Sequence, residues 1–265
     1  MIKVLVNGAC GRMGSMVVKT VLEDKELELV GAVDIEGGAD AGEIAGAGKC
    51  GIIVASDLGA ELDKSGAEVM IDFTRPNVVF RNVMTALEHK VSPVVGTTGL
   101  TDEQKEEIRQ AAEKCGVPAF IAPNFAIGAV LLMVLSAQAA KYMPEVEIIE
   151  MHHDQKLDAP SGTAEQTAAM IAKVRAEHAQ GHPDEQEKAG WEGARGADYQ
   201  GMHVHSVRLP GYVASQEVIF GGLGQVLKLR HDTTSRESFM PGVVLAAKQV
   251  QKLKGLTIGL DQLLK

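Results

Sequence analysis

No stretch of the 265-residue chain contains the roughly 18 consecutive apolar residues needed for a membrane-crossing helix, which predicts a soluble protein without a membrane partner. Residues 1–6, Met-Ile-Lys-Val-Leu-Val, run straight into a glycine turn and lack the apolar stretch and cleavage site of a secretory signal. The expected location is the cytoplasm. Cysteine is scarce. Cys10, Cys50 and Cys115 are odd in number, widely separated and without Cys-x-x-Cys spacing, which argues against a disulfide framework and for three small buried hydrophobes in a reducing compartment. No cluster of Lys and Arg is dense enough to track a phosphate backbone, and with a formal charge of −9 the chain is not expected to bind nucleic acid. Internal repeats and low-complexity tracts are missing too. The negative field also opposes any anionic ligand, so such a ligand must be held by a few local cations and helix N-termini.

What is present, from Ile2 to about Asn124, is an alternation of short apolar runs with amphipathic stretches, the rhythm of a parallel sheet covered by helices. Strands are predicted at Ile2 to Val6, Leu27 to Val33, Val69 to Phe73, Val94 to Val95 and Ala119 to Ala122. Helices are predicted at Arg12 to Leu22, Asn77 to Lys90 and Asp102 to Cys115, the last opened by a Thr101–Gln104 capping box. After Asn124 the pattern changes. A long apolar helix at Ile127 to Met143 leads into strands near Val146 to His152, His203 to Leu209, Val213 to Phe220 and Gln225 to Arg230. A helix is expected at Thr163 to Glu177, started by a Thr163–Gln166 capping box, and a loop over Gln180 to Gln200. A final apolar-periodic helix, Ser238 to Lys252, suggests that the chain returns to its first domain. The expected architecture is α/β, a Rossmann-like doubly wound parallel sheet plus a second α+β domain with a mostly antiparallel sheet. The first domain spans 1–124 and is completed by 234–265; the second spans 125–233.

The first strand runs into Gly8-Ala9-Cys10-Gly11-Arg12-Met13-Gly14 and a helix, and the second strand ends at Asp34, 20 residues beyond Gly14. A dinucleotide site needs glycines where backbone approaches a pyrophosphate, a helix N-terminus to receive its charge, and an acid for the ribose hydroxyls. The spacing is Gly-x-x-Gly-x-x-Gly, and the same glycines also serve a plain strand–helix turn. Ile35 and Glu36, after the acid, offer no cation for a 2′-phosphate, so the cofactor expected is NADH, while Arg12 leaves room for NADPH. Gly96-Thr97-Thr98-Gly99 and Ala122-Pro123-Asn124-Phe125 follow two further strands, at the ends where open α/β sheets bind ligands.

The densest chemistry lies in Glu150-Met-His152-His153-Asp-Gln-Lys156-Leu-Asp158-Ala-Pro160-Ser161-Gly162-Thr163. A helix start with free N–H groups, beside Lys156, can hold a carboxylate on an acidic protein. His152 and Lys156 suit proton donation. The same Ser-Gly-Thr run also serves as an ordinary helix start. Adjacent histidines on a strand point to opposite faces and no further ligand set has zinc-like spacing, so no metal is expected. His203, His205 and His231 read as structural.

Together these segments, with Asp72-Phe-Thr74, His205-Ser-Val-Arg-Leu-Pro-Gly211 and Phe239-Met-Pro-Gly242, resemble the 4-hydroxy-tetrahydrodipicolinate (dihydrodipicolinate) reductase family over nearly the whole chain. The resemblance implies NAD(P)H-dependent reduction of a cyclic dicarboxylate in lysine and diaminopimelate biosynthesis by a homotetramer whose middle domain binds substrate and builds the interface. It implies acid/base and proton-donor roles for His152 and Lys156, substrate contacts from His153, Ser161, Gly162 and Thr163, and a cofactor lined by Gly8 to Met13, Asp34, Gly96 to Thr98 and Ala122 to Phe125. Cys10 stands where many relatives have Gly, and Ile35 where some have Arg. Two rival readings are a different dehydrogenase of this architecture, acting on an amino acid, and a non-catalytic nucleotide-binding redox sensor.

Overall fold

A computed structural model of the chain describes residues 1–176, 178 and 180–264. The chain divides into two compact units, Met1–Ala126 with Phe239–Lys265, and Ile127–Ser238. The first unit follows the order β1 (Ile2–Asn7), α1 (Arg12–Glu23), β2 (Leu27–Val33), α2 (Ala41–Ile44), α3 (Leu58–Ser65), β3 (Val69–Asp72), α4 (Pro76–Glu88), β4 (Ser92–Val95), α5 (Asp102–Cys115) and β5 (Ala119–Ile121). The second contains α6 (Ile127–Ala140), β6 (Glu145–His152), α7 (Gly162–Ala172), β7 (Ala197–Tyr199), β8 (Met202–Arg208), β9 (Ala214–Gly222) and β10 (Gln225–Thr233). The chain then re-enters the first unit through a 3-10 turn, α8 (Met240–Gln249), a second 3-10 turn and β11 (Leu256–Ile258).

The first sheet has the order β11-β5-β4-β3-β1-β2, with every pairing parallel. Successive crossovers run outward from β1 in both directions, and right-handed connections then place α1 and the helices after β2 on opposite faces. α1 packs with α8, while α3, α4 and α5 pack in a row. Val79, Val83 and Leu87 recur at helical spacing along α4 and close over Val95, Ile108, Ala112 and Ile121. The strands are apolar because both faces are covered. The order reverses between β1 and β3, so the ligand crevice of this sheet lies at the carboxyl ends of those strands.

The second sheet, β10-β9-β6-β8-β7, is mixed: β6 and β8 pair parallel, and the other three pairings are antiparallel. α6 and α7 pack together against β6, β9 and β10. On the helix-facing side the register stacks side chains in rows. Leu229, Val218, Ile148 and Val204 form an apolar row; His231, Gln216, Glu150 and Ser206 form the next; Thr233, Ala214, His152 and Arg208 form the row at the carboxyl end of β6. The core therefore turns polar toward one end of the sheet, and that end carries His152.

Several expectations need correction. The expected 180–200 loop contains β7, whose three residues pair with β8; too short and polar to show a period, they become a strand because β8 offers a free edge. The helix expected over Thr163 to Glu177 covers Gly162–Ala172, and Glu177 lies outside the described residues. Its cap is Ser161, whose hydroxyl accepts from the Ala164 amide, and not Thr163. The helix expected over Ser238 to Lys252 is interrupted by 3-10 geometry at both ends. α2, α3 and β11 were not anticipated, being short and without a strong period.

Candidate active site

The glycine turn is shaped by close backbone approach. Gly8 has φ +86°, and a Cβ there would lie 2.6 Å from the Phe73 carbonyl oxygen; a Cβ on Gly14 would lie 1.8 Å from the Gly8 carbonyl oxygen. Only glycine lets β1, β3 and α1 meet so closely. α1 begins with Gly11 at its N-cap, with no side-chain cap and no acid in its first turn. Its first N–H groups therefore remain for an anion, and a dinucleotide pyrophosphate fits that end. Arg12 is exposed there, Gly11 is exposed, Met13 is half-buried, and Ala9 is buried.

Asp34 follows β2. Its carboxylate accepts from the Cys10 amide (2.8 Å) and from its own neighbour, the Ile35 amide (2.7 Å). The acid is thus fixed to the glycine turn. Burial, and next the charges of Asp34 and Glu36, push the Cys10 thiol up from its ordinary value, which makes it a poor nucleophile.

Asp72, at the end of β3, is fully buried and was not singled out among the sequence's site residues. Its carboxylate accepts from Asn7 and Asn82 amides (2.8 and 3.0 Å), the Thr74 amide and hydroxyl (3.1 and 2.8 Å) and the Thr97 hydroxyl (2.8 Å). This node ties the ends of β1, β3 and β4 into one floor. Thr97 spends its hydroxyl here, which leaves only its backbone to contact a ligand, while Thr98 is exposed. Phe125 is core, its ring 5.8 Å from Phe73 and 6.0 Å from Phe120. Asn124 accepts from the Ala126 amide (2.9 Å) in a local turn. Gly96, Ala122 and Pro123 complete the strand-end loops. An acid closing an otherwise apolar strand, Val-Met-Ile-Asp72, was the available signal for the node.

In the second unit, β6 carries Glu150 and His152 on one face, as a two-residue period requires. Glu150 has no exposure, and its carboxylate meets His152 Nδ1 at 2.5 Å and both terminal nitrogens of Arg208 at 2.7 and 2.9 Å. Burial pushes the Glu150 carboxyl up, but hydrogen bonds from His152, Arg208 and Ser206 outweigh that and hold it at about 2. Arg208 also donates to the Asp158 carbonyl (2.7 Å), and Lys156 Nζ donates to both Asp158 carboxylate oxygens (2.7 and 2.8 Å). His152, Lys156, Asp158 and Arg208 are thereby joined at one corner. His153 is exposed beside them, and Gly162, exposed at the first turn of α7, faces open space where a Cβ would stand. Ser161 is buried with its hydroxyl committed to the cap. Thr163 is half-buried, and its carbonyl accepts from Thr167, whose hydroxyl also accepts from Gln216 (both 2.7 Å). Glu150 and Arg208 are the residues that sequence reasoning missed; the acid two positions before His152 was the legible clue.

On the opposite face of the sheet, Glu147 accepts from His205 (2.9 Å) and Arg195 (2.7 Å), so His205 has a structural partner. Among the described residues no group of three or more His, Cys, Asp and Glu is arranged to hold a metal, and no helix is long and apolar enough to cross a membrane.

Comparison with known proteins covers both units. Models of the dihydrodipicolinate reductase N-terminus and C-terminus match residues 2–125 and 128–264. A 4-hydroxy-tetrahydrodipicolinate reductase of Desulfitobacterium hafniense is 52% identical, covering 100% of this chain and 99% of its own. One from Halalkalibacterium halodurans is 51% identical with both chains fully covered. The dipicolinate-bound dihydrodipicolinate reductase of Paenisporosarcina sp. TG-14 superposes with TM-score 0.89 at 47% identity over 99% of each chain. An amine dehydrogenase of Mycobacterium smegmatis shares the fold alone, at TM-score 0.67 and 15% identity over 97% of this chain and 94% of its own. With two family models spanning both units and relatives near half identity along its full length, the chain belongs to the dihydrodipicolinate reductase family.

Proposed function

We propose that the chain is an oxidoreductase that reduces 4-hydroxy-tetrahydrodipicolinate, through its dehydrated form, to tetrahydrodipicolinate on the route to diaminopimelate and lysine. A reduced nicotinamide dinucleotide, bound at the glycine turn, supplies the hydride. The observation that carries the reading is the corner at the end of β6 where His152, Lys156 and Arg208 are joined through Glu150 and Asp158, because it gathers cationic and proton-donating side chains on a chain of net charge −9. Lys156, with Gly162 and Thr163 at the start of α7, would hold a ring carboxylate, with His153 alongside. Hydride addition at C4 of the conjugated imine leaves an enamine, and His152 or Lys156 would hand it the proton that completes the reduction. A coupled assay with pyruvate, aspartate semialdehyde and the upstream synthase tests the reaction. NAD(P)H consumption dependent on all three supports it; none, with NADH bound, rejects it in favour of an amino-acid dehydrogenase or a redox sensor.

The cofactor is expected to be NADH. Asp34 is anchored facing the turn, and Ile35, 76% exposed, and Glu36 supply no countercharge for a 2′-phosphate. In steady-state kinetics kcat/KM should favour NADH by several-fold, and a preference of about tenfold or more for NADPH would overturn the assignment.

A homotetramer fits the second sheet, whose helix-free face presents Ile149, Ile219 and Val226, the last 64% exposed. Sedimentation equilibrium should give four times the 28.1 kDa chain mass, and a stable monomer would refute the assembly. The three cysteines are free thiols, in keeping with work in the cytoplasm.

A further inference from the structure

We infer that Glu150, braced by Arg208 and Ser206, is a positioning residue that fixes the His152 ring with its Nδ1 proton on the carboxylate, leaving Nε2 as the nitrogen that exchanges protons with substrate. The inference rests on reading His152 as the acid/base group and adds what sets its tautomer.

A carboxylate with no exposure is retained at a cost unless fully paired. Glu150 is paired on both oxygens: Arg208 donates to each, at 2.7 and 2.9 Å, and His152 Nδ1 shares the second. Ser206 stands directly opposite on β8, and Gln216 and His231 complete the row. An ionised carboxylate is acceptor-only, so Nδ1 must be the donor; a neutral imidazole then carries its lone pair on Nε2. The bond to Glu150 also removes ring rotation, which a general acid or base cannot tolerate if it is to meet a reacting atom within a few tenths of an ångström.

A plain strand staple would not need this arrangement. β6 and β8 are already joined by a six-residue ladder, from Glu147–His203 to His152–Arg208. The Arg208 guanidinium also reaches the Asp158 carbonyl, and Asp158 in turn holds Lys156. One buried ion pair therefore braces both candidate proton donors.

Glu150→Gln tests the idea. A glutamine side chain has one acceptor oxygen, which Arg208 claims, so its NH2 group faces His152 Nδ1 and forces the proton to Nε2, the wrong tautomer. Protein labelled with 15N-histidine, its His152 signals assigned by comparison with His152→Asn, reports the tautomer directly. The expected results are an Nδ1–H neutral ring in the wild type, an Nε2–H ring in E150Q, and kcat lower by about 10²-fold in E150Q with KM little changed. A neutral wild-type ring protonated at Nε2 overturns the inference, and that measurement stands even if E150Q does not fold. So does E150Q with the flipped tautomer at wild-type kcat, or a fall in kcat without the flip, which marks a structural role. An Nδ1–H ring in a protein that ignores the cyclic imine would instead reject the reaction and leave the positioning intact.

Discussion

His152→Ala and Lys156→Ala are each expected to lower kcat by about 10²–10⁴-fold, the usual cost of removing a positioned proton donor. Their signatures should differ. His152 is 15% exposed and tied to Glu150, so its loss removes an interaction made as charge develops and leaves KM near its starting value. Lys156 is bonded to Asp158, a carboxylate 63% exposed, and an exposed ion pair of that kind is worth only about 0–1 kcal/mol. A substrate carboxylate can therefore take the ammonium from Asp158 at little cost. Lys156→Ala should accordingly raise KM as well as lower kcat. Because one network holds both groups, the double variant should lose far less than the product of the single losses. Stopped-flow oxidation of NADH on variants with wild-type circular dichroism is the measurement. Should both keep near-wild-type kcat, neither is a catalytic residue.

How much of this was legible beforehand follows from how each feature is encoded. The helix Asp102–Cys115 was legible to its ends because Thr101, Gln104 and Gly116 mark it locally, and the structure has both halves of the capping box and a left-handed C-cap. The parallel sheet was legible from apolar runs at helix-separated spacing. β7 and β11 were not, because three-residue strands carry no period and exist only through β8 and β5, whose paired residues lie 3 to 7 and 137 positions away. At the site, residue types and strand ends were visible, so His152, Lys156 and Asp34 could be named from the sequence. The partners that orient them were not. Arg208 lies on another strand from Glu150, and their pairing depends on the parallel register of β6 with β8, which a sequence read for antiparallel hairpins does not suggest. Asp72 was hidden for a similar reason: its donors come from Asn7, Thr74, Asn82 and Thr97, on different elements. Ser161 was visible, but that its hydroxyl is committed to capping α7 depends on where the helix starts, which the Thr163–Gln166 pattern displaced by two residues.

Gly14→Ala should abolish useful cofactor binding while Gly162→Ala should leave it untouched, and the contrast separates packing from sequence pattern. The added methyl at position 14 would sit 1.8 Å from the Gly8 carbonyl oxygen, 2.6 Å from its carbon and 3.0 Å from the Ala9 Cα. All three are backbone atoms, so no rotamer change relieves the clash, and the turn itself has to open. Overpacking of this kind typically costs about 1–3 kcal/mol, which here should appear as a lower Tm. The larger effect is on binding. The N–H groups at the start of α1 are aimed by that turn, and a displacement of an ångström removes the alignment on which anion binding depends. The expected result is an NADH Kd raised by about 10²-fold or more in isothermal titration. At position 162 a Cβ meets nothing within 4 Å, so Gly162→Ala should fold and bind NADH as the parent does, with any change confined to substrate KM. Wild-type Tm and wild-type NADH affinity in Gly14→Ala would show that the turn tolerates a side chain and that the dinucleotide does not depend on it.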